Sequence, residues 1–208
     1  FLVELFSRTE RGTTLAAFRI AVGLVVLYSL LSIAAAGLVE PMWVDLSRGG
    51  MRTVAGEELL RFFGGTTTGT VWAFWWVAVI SGVAVVLGFG GWITTFVLLQ
   101  SYLGLVSINP DASGGYDAMI TNALWLLVLA NATATLSVDC RRRTGRWHSD
   151  TSVSAWPRYL LVFQLIVVYT STGWQKMSIF WTPGGGYSAL YWVSQEPTWM
   201  RWDGDLFA

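Results

Sequence analysis

The residues best placed to do chemistry lie between Arg158 and Lys176, in the stretch RYLLVFQLIVVYTSTGWQK. It begins as an apolar helix and ends in a lysine that continues the helical period. Counting back from Lys176 by helical intervals meets Thr172, Tyr169 and Leu165, so the last two turns carry a polar stripe of Tyr169, Thr172 and Lys176. Gln175, Ser171 and Gln164 fall on the adjoining stripe, and Gly173 between them admits a second backbone or a flat ligand at close range. Two readings of the lysine stand side by side. An ammonium group at the centre of a bilayer costs roughly 2.5–3.5 kcal/mol on insertion scales, and near a helix end its stem snorkels to water at lower cost. Alternatively, the lysine is a partly dehydrated base facing a cavity, since loss of solvent disfavours a charged amine and readies it to accept a proton.

Such a helix needs an apolar surround, and the composition supplies one. Of 208 residues, 54% are hydrophobic and only 12% charged, where soluble domains carry about a quarter charged residues. Long apolar runs point to an integral membrane protein. The formal net charge is zero, which leaves no basic field for nucleic acid. Thirteen tryptophans and seven tyrosines suit a protein that meets two water–lipid interfaces. A single cysteine, Cys140, excludes an intrachain disulfide and any multi-cysteine metal or iron–sulfur site. The one histidine, His148, follows the basic run RRRTGRW and lies outside every apolar segment. Neither a metal site nor a haem held by two histidines is expected.

The expected fold class is all-α, a polytopic transmembrane helical bundle of about five spanning helices with short interfacial helices. The spans fall at about 15–38, 71–89, 92–108, 118–138 and 158–176, within a single domain over 1–208. The start at Phe1 and the stop soon after a polar stretch suggest a chain trimmed at its C-terminus. Thr13 and Thr14 are the expected N-caps of the first span. That span is too long for a signal peptide and is interrupted by Arg19, which either reaches water and headgroups or turns inward to a polar group on another helix. EELLRFF (Glu57 to Phe63) reads as an interfacial helix with Leu59, Leu60, Phe62 and Phe63 towards lipid. Trp72, Phe74, Trp75 and Trp76 form an aromatic belt at one end of the second span. Gln100, Gly104 and Ser107 share a face of the third, as helix–helix contacts. Asn109-Pro110-Asp111 breaks the chain before the fourth. Asp117 and Thr121 share a face at that helix start, where an acidic residue is favoured by the N-terminal dipole. Asn122 and Asn131 point to opposite sides of a continuous fourth helix, so at least one faces protein. Tyr187 to Gln195 is too short to span and reads as an interfacial or re-entrant helix.

Arg141, Arg142, Arg143 and Arg146 place their loop in the cytoplasm by the positive-inside rule. The N-terminus, with Arg8 and Arg11, is then also cytoplasmic. Asp117 and the Lys176 end share the extracytoplasmic side. No internal repeat is visible, and the glycine run at 184–186 lacks the Lys-Ser/Thr of a P-loop.

Five stretches together resemble one family: LAAFRIAVG (Leu15 to Gly23), NPDASGGYDAMITNALWLL (Asn109 to Leu127), TLSVD (Thr135 to Asp139), VVYTSTGWQKM (Val167 to Met177) and GGYSALYWVSQ (Gly185 to Gln195). They are similar to the HTTM (horizontally transferred transmembrane) domain family, related to vitamin K-dependent gamma-carboxylase. The Tyr-x3-Gly-x2-Lys element and the following Gly-x2-Ala-Leu-Tyr turn are its most specific parts. The resemblance implies a gamma-carboxylase-like lyase in which Lys176 deprotonates reduced vitamin K or another quinol. Reaction with oxygen then gives an epoxide and a base strong enough to remove a glutamate γ proton, to which carbon dioxide adds. Tyr169, Thr172 and Gln175 are the hydrogen-bonding neighbours at such a site, with Tyr116 and Asp117 as further cofactor-binding candidates. Gln175 stands where the carboxylases have a second lysine, and Gly115-Tyr116-Asp117 where they carry a histidine.

The expected partners are membrane lipid and a peptide glutamate, and the expected location is a prokaryotic plasma membrane, crossed several times. A second reading keeps the same cavity and lysine but makes the protein a non-catalytic quinone- or lipid-binding membrane module. A transporter fits less well, because it predicts polar residues through the full membrane depth, whereas those here gather towards one side.

Overall fold

A computed structural model describes residues 7–56 and 58–195. They fall into two compact units that divide between Tyr159 and Leu160. The first contains β1 (Thr9–Arg11), α1 (Gly12–Ala35), α2 (Val39–Trp43), α3 (Glu58–Arg61), α4 (Thr68–Leu87), α5 (Gly91–Val106), α6 (Gly115–Leu129), α7 (Val138–Thr144) and β2 (Ser152–Ser154). Helix α8 (Trp156–Gln175) runs across the division, and α9 (Ser188–Gln195) lies in the second unit. The described residues are mainly helical, in keeping with the all-α expectation. The two strands pair antiparallel, Glu10 opposite Val153, and Arg158 Nε holds Glu10 Oε2 at 2.7 Å across the strap. That small ribbon was not anticipated.

Helices α1, α4, α5 and α6 form a ring: α1 packs on α4, α4 on α5, α5 on α6, and α6 returns to α1. The core between them is aliphatic, with Val26, Leu30, Leu98, Leu99, Leu105 and Leu124 fully buried. The α1–α4 contact is close because Gly23 meets Val86: a Cβ at Gly23 would stand 2.7 Å from a Val86 methyl. Outside the ring, Tyr28, Trp76, Ile80, Trp92, Ile93 and Leu129 are exposed, the apolar outer surface that a lipid-facing bundle presents. By length and composition α1 and α4 can cross a membrane, while α5 and α6 are shorter apolar helices. The sixteen residues of α5 rise about 24 Å, short of the ~30 Å hydrocarbon core. Five full spans are therefore more than these elements establish.

Several local expectations are corrected. The N-cap of α1 is Arg11, not Thr13 or Thr14, and it makes no side-chain cap. Leu60 is fully buried rather than turned to lipid, while Phe62 and Phe63 are exposed as expected; Glu57 lies outside the described residues. The largest correction concerns the fourth span. Helix α6 stops at Leu129 instead of running to 138. Residues 130–137 leave the helix because other groups take their carbonyls. Arg19 donates from Nη1 to Ala132 O and from Nη2 to Leu136 O, both at 2.7 Å. Arg143 and Ser137 both donate to Thr133 O. Ser137 then caps α7 by accepting from Cys140 N at 2.9 Å.

Arg19 thus faces inward and is completely buried. Its partners are backbone carbonyls rather than a polar side chain. Gly88, left-handed at the end of α4, makes room for it: a Cβ there would stand 2.8 Å from Arg19 Nη1. Asn131, placed beyond the helix, is exposed, as is Asn122. The opposed pair expected on one helix does not form.

Candidate functional site

The chain enters the site region through Asn109, whose Nδ2 donates to Met42 O at 2.9 Å and ties the break to α2. Pro110 follows, and Pro110–Ala112 makes one tight turn. Proline has no N–H to extend α5 and sets the backbone for that turn. Helix α6 starts at Gly115, and Asp117 sits at its third position, where a carboxylate can fold back on the helix end.

Asp117 is buried, 5% exposed. Three donors converge on it. Tyr102 Oη, from the last turns of α5, donates to Oδ1 at 2.5 Å. Ser113 Oγ donates to Oδ2 at 3.1 Å, and Gly114 N to the same oxygen at 2.7 Å. A carboxylate has about four acceptor sites, so these leave about one for a further donor. Beside Asp117 opens a cavity of about 490 Å³, walled by Leu103, Val106, Pro110 and Ala118, with Thr121 and Asn122 as polar lining. Asp117 and Thr121 share this wall, as their spacing predicts. Tyr116, the next residue back, is 57% exposed and borders a small recess behind Asp117 together with Tyr102 and Asn109.

The other predicted residues lie in the second unit. Helix α8 ends at Gln175, one residue before the lysine, and the Lys176 N–H closes the last turn onto Thr172 O and Gly173 O at 3.2 and 3.1 Å. Thr172 Oγ1 donates back to Val168 O at 2.8 Å. A serine or threonine hydroxyl on a helix commonly takes this bond. The Lys176 Nζ lies 5.6 Å from the centre of the Trp181 ring, within range of a cation–π contact. Trp181 belongs to the turn Ile179–Trp181. Tyr169 is exposed in this unit, and among the described residues no atom stands within 4 Å of a Cβ built on Gly173.

Lys176, Thr172, Tyr169 and Gln175 lie in the last turns of α8 or just beyond them, and all four are exposed, while Asp117 and Tyr116 lie at the start of α6. Sequence reasoning missed Tyr102 and Ser113 as partners of Asp117. No local signal marked Tyr102, because the broken connection between Val106 and Gly115 is longer than a tight helical hairpin turn. Among the described residues no group of three or more histidine, cysteine, aspartate or glutamate side chains could hold a metal ion.

The family model of the HTTM domain matches residues 7–201. No curated protein and no solved structure matches the chain.

Proposed function

The chain belongs to the HTTM family, and on that premise we propose that it is a multi-pass membrane protein with a quinol-binding cavity beside Asp117, and, on the family resemblance alone, that Lys176 is the base of a gamma-carboxylase-like reaction on a peptide glutamate. The observation that carries this reading is the Asp117 cavity. Its volume of about 490 Å³ lies in the ~300–1,000 Å³ range of small-molecule sites. Leu103, Val106, Pro110 and Ala118 give it an apolar wall for a quinol ring, and Ser107, Thr121 and Asn122 add polar groups. Its one carboxylate has an acceptor position to spare for a ring hydroxyl.

In this mechanism Asp117 orients the ligand by accepting a hydrogen bond, and Tyr102, Ser113 and Gly114 fix the carboxylate so that its free acceptor position is set in advance. Lys176 is the proposed proton acceptor, a role that rests on the family resemblance. Trp181 supplies an aromatic face over which the resulting ammonium is stabilised. Thr172 keeps its hydroxyl in its own helix turn, so it shapes the end of α8 rather than donating to a ligand. Tyr169 and Gln175 are the remaining hydrogen-bonding groups at Lys176. A reduced quinone supplies the oxygen chemistry that these side chains lack. Under the proposed orientation the arginine run 141–146 is cytoplasmic, and Asp117 and Lys176 belong to the opposite side.

A second reading has a specific observation in its favour. The turn Gly115-Tyr116-Asp117 holds no histidine, and its carboxylate is an acceptor for three donors, an arrangement suited to holding a ligand without turnover. One assay separates the two. Purified protein is given reduced vitamin K, labelled bicarbonate and a glutamate peptide, alongside Lys176→Ala. Epoxide and label in wild type, both abolished in Lys176→Ala, are expected. Label that persists in Lys176→Ala removes the proposed base; binding without epoxide or label in wild type leaves the non-catalytic module.

A further inference from the structure

At the opposite end of the bundle from Asp117 lies a larger cavity, of about 620 Å³, between the first turn of α5, the end of α6 and α7. Arg142 and Arg143 line it, with Asp139, Thr133 and Trp92. Arg143 uses Nη2 to hold Thr133 O at 3.0 Å and Ala134 O at 3.5 Å, which fixes the guanidinium and leaves its other N–H groups available. Arg142 is steadied over the Phe89 ring at 5.8 Å. Neither arginine has a carboxylate within ion-pair distance among the described residues. The one acid present, Asp139, accepts from Gly90 N at 3.2 Å and is thereby committed to the backbone. The lining carries two positive charges against one negative.

A third positive contribution comes from α5. The helix has sixteen residues, its N-cap is Gly90, and no side chain caps it. Its first N–H groups and the positive end of its dipole therefore add to the field of the two arginines. Gly91 opens the helix beside Asp139 and Thr133, with a Cβ position 3.8 Å from each. On the outer side, Trp92 and Ile93 are 61% and 57% exposed, an apolar surface that continues along α5. Two exposed arginines lining the cavity, one of them tied to the backbone, an uncapped helix start and an adjoining apolar face match a phosphate ester carrying an apolar tail.

We propose that this cavity is a binding site for a phosphate-bearing anion, filled by the headgroup of an anionic phospholipid whose acyl chains lie along α5. It is separate from the Asp117 site and does not depend on the quinol reading.

The test uses the full chain purified in detergent and native mass spectrometry, with short-chain phosphatidylglycerol, short-chain phosphatidylcholine and inorganic phosphate as probes. The variants are Arg142→Gln, the pair Arg142→Gln/Arg143→Gln, and the control pair Arg141→Gln/Arg146→Gln, which removes the same charge from side chains outside the cavity. Thermal unfolding of each reports folding, and Arg142→Gln, which loses no backbone hydrogen bond, keeps the test valid if the pair unfolds. Phosphatidylglycerol is expected to bind at least tenfold more tightly than phosphatidylcholine, to weaken about tenfold in Arg142→Gln, and to stay within about twofold in the control pair. Inorganic phosphate that competes at the same affinity would assign the anion site to a soluble phosphate and overturn the lipid. Equal losses in both pairs, or no preference for phosphatidylglycerol, would overturn the site itself.

Discussion

Replacing Tyr102 by phenylalanine removes one oxygen from the interior and nothing else. Tyr102 is 1% exposed, its ring fills the α5 side of the core, and its hydroxyl donates to Asp117 Oδ1 at 2.5 Å. The ring stays, so no cavity is created. What goes is one hydrogen bond to a carboxylate, a class of bond that contributes about 1.5–3 kcal/mol. In domains of 150–250 residues each kcal/mol moves the Tm by about 2–4 °C, so Tyr102→Phe is expected to lower the Tm by roughly 3–12 °C. Asp117→Asn acts on the other partner. Its amide keeps one acceptor oxygen and replaces the other by an NH2, so either the Tyr102 hydroxyl must turn to accept or the Gly114 N–H meets a donor. The double variant completes a cycle. Because the two groups are in contact, the separate losses should exceed the combined loss by at least about 0.5 kcal/mol. Thermal and denaturant unfolding of the purified protein measures all four species. A Tyr102→Phe Tm within about 1 °C of wild type, or a strictly additive cycle, would refute the claim that Tyr102 holds the Asp117 carboxylate in place.

Other expectations follow from the same packing. Gly23→Leu forces a side chain into the space held by Val86, and overpacking of this kind should cost about 1–3 kcal/mol, read as a lower Tm; an unchanged Tm would show that α1 and α4 are not closely joined there. Arg19→Met strips the Ala132 and Leu136 carbonyls of their donors, at about 1–3 kcal/mol for a buried one, and should speed proteolytic cleavage within 130–137; unaltered cleavage would contradict the claim that Arg19 holds this segment. In the exposed loop after α2, Asp45 accepts from the Ser47 hydroxyl and backbone N–H, and those bonds lower its pKa from 3.8. A depressed carboxylate pKa means the turn is held above the ordinary value and released as pH falls through the lower, folded one. The Ser47 amide resonance should titrate below 3.8; a midpoint at or above that value would contradict the contact.

The apolar periodicity of this sequence marked where the helices lie because lipid-facing and core-facing positions are both apolar, and both are read as hydrophobic runs. The same fact hid where α6 ends. Residues 118–138 look continuous by composition, yet the chain leaves the helix after Leu129 because a side chain from α1, more than a hundred residues earlier, takes its carbonyls. Nothing local to 130–137 carries that information; Arg19 does, and its long stem near a helix start favoured the outward reading over the inward one that the structure shows. Leu60 shows the converse limit, since an amphipathic four-residue helix does not say which of its leucines meets the core. Asp117 was legible as a helix-start carboxylate, and its neighbourhood with Thr121 was legible from spacing. Its cross-helix donor Tyr102 was not, because fifteen residues and a broken turn separate the two. That Lys176 follows the last turn of a helix was legible, because one continuous segment holds both and sequence distance and spatial distance agree there.

The claim on which the functional account turns is that a quinol occupies the space beside Asp117. A photoreactive naphthohydroquinone, reduced and cross-linked to the purified protein and then mapped by peptide mass spectrometry, tests it most directly. The account predicts adducts within 103–122, competed by unlabelled quinol and greatly reduced in Asp117→Asn while that variant remains folded. Adducts confined to other segments, or the same yield in Asp117→Asn, would contradict it.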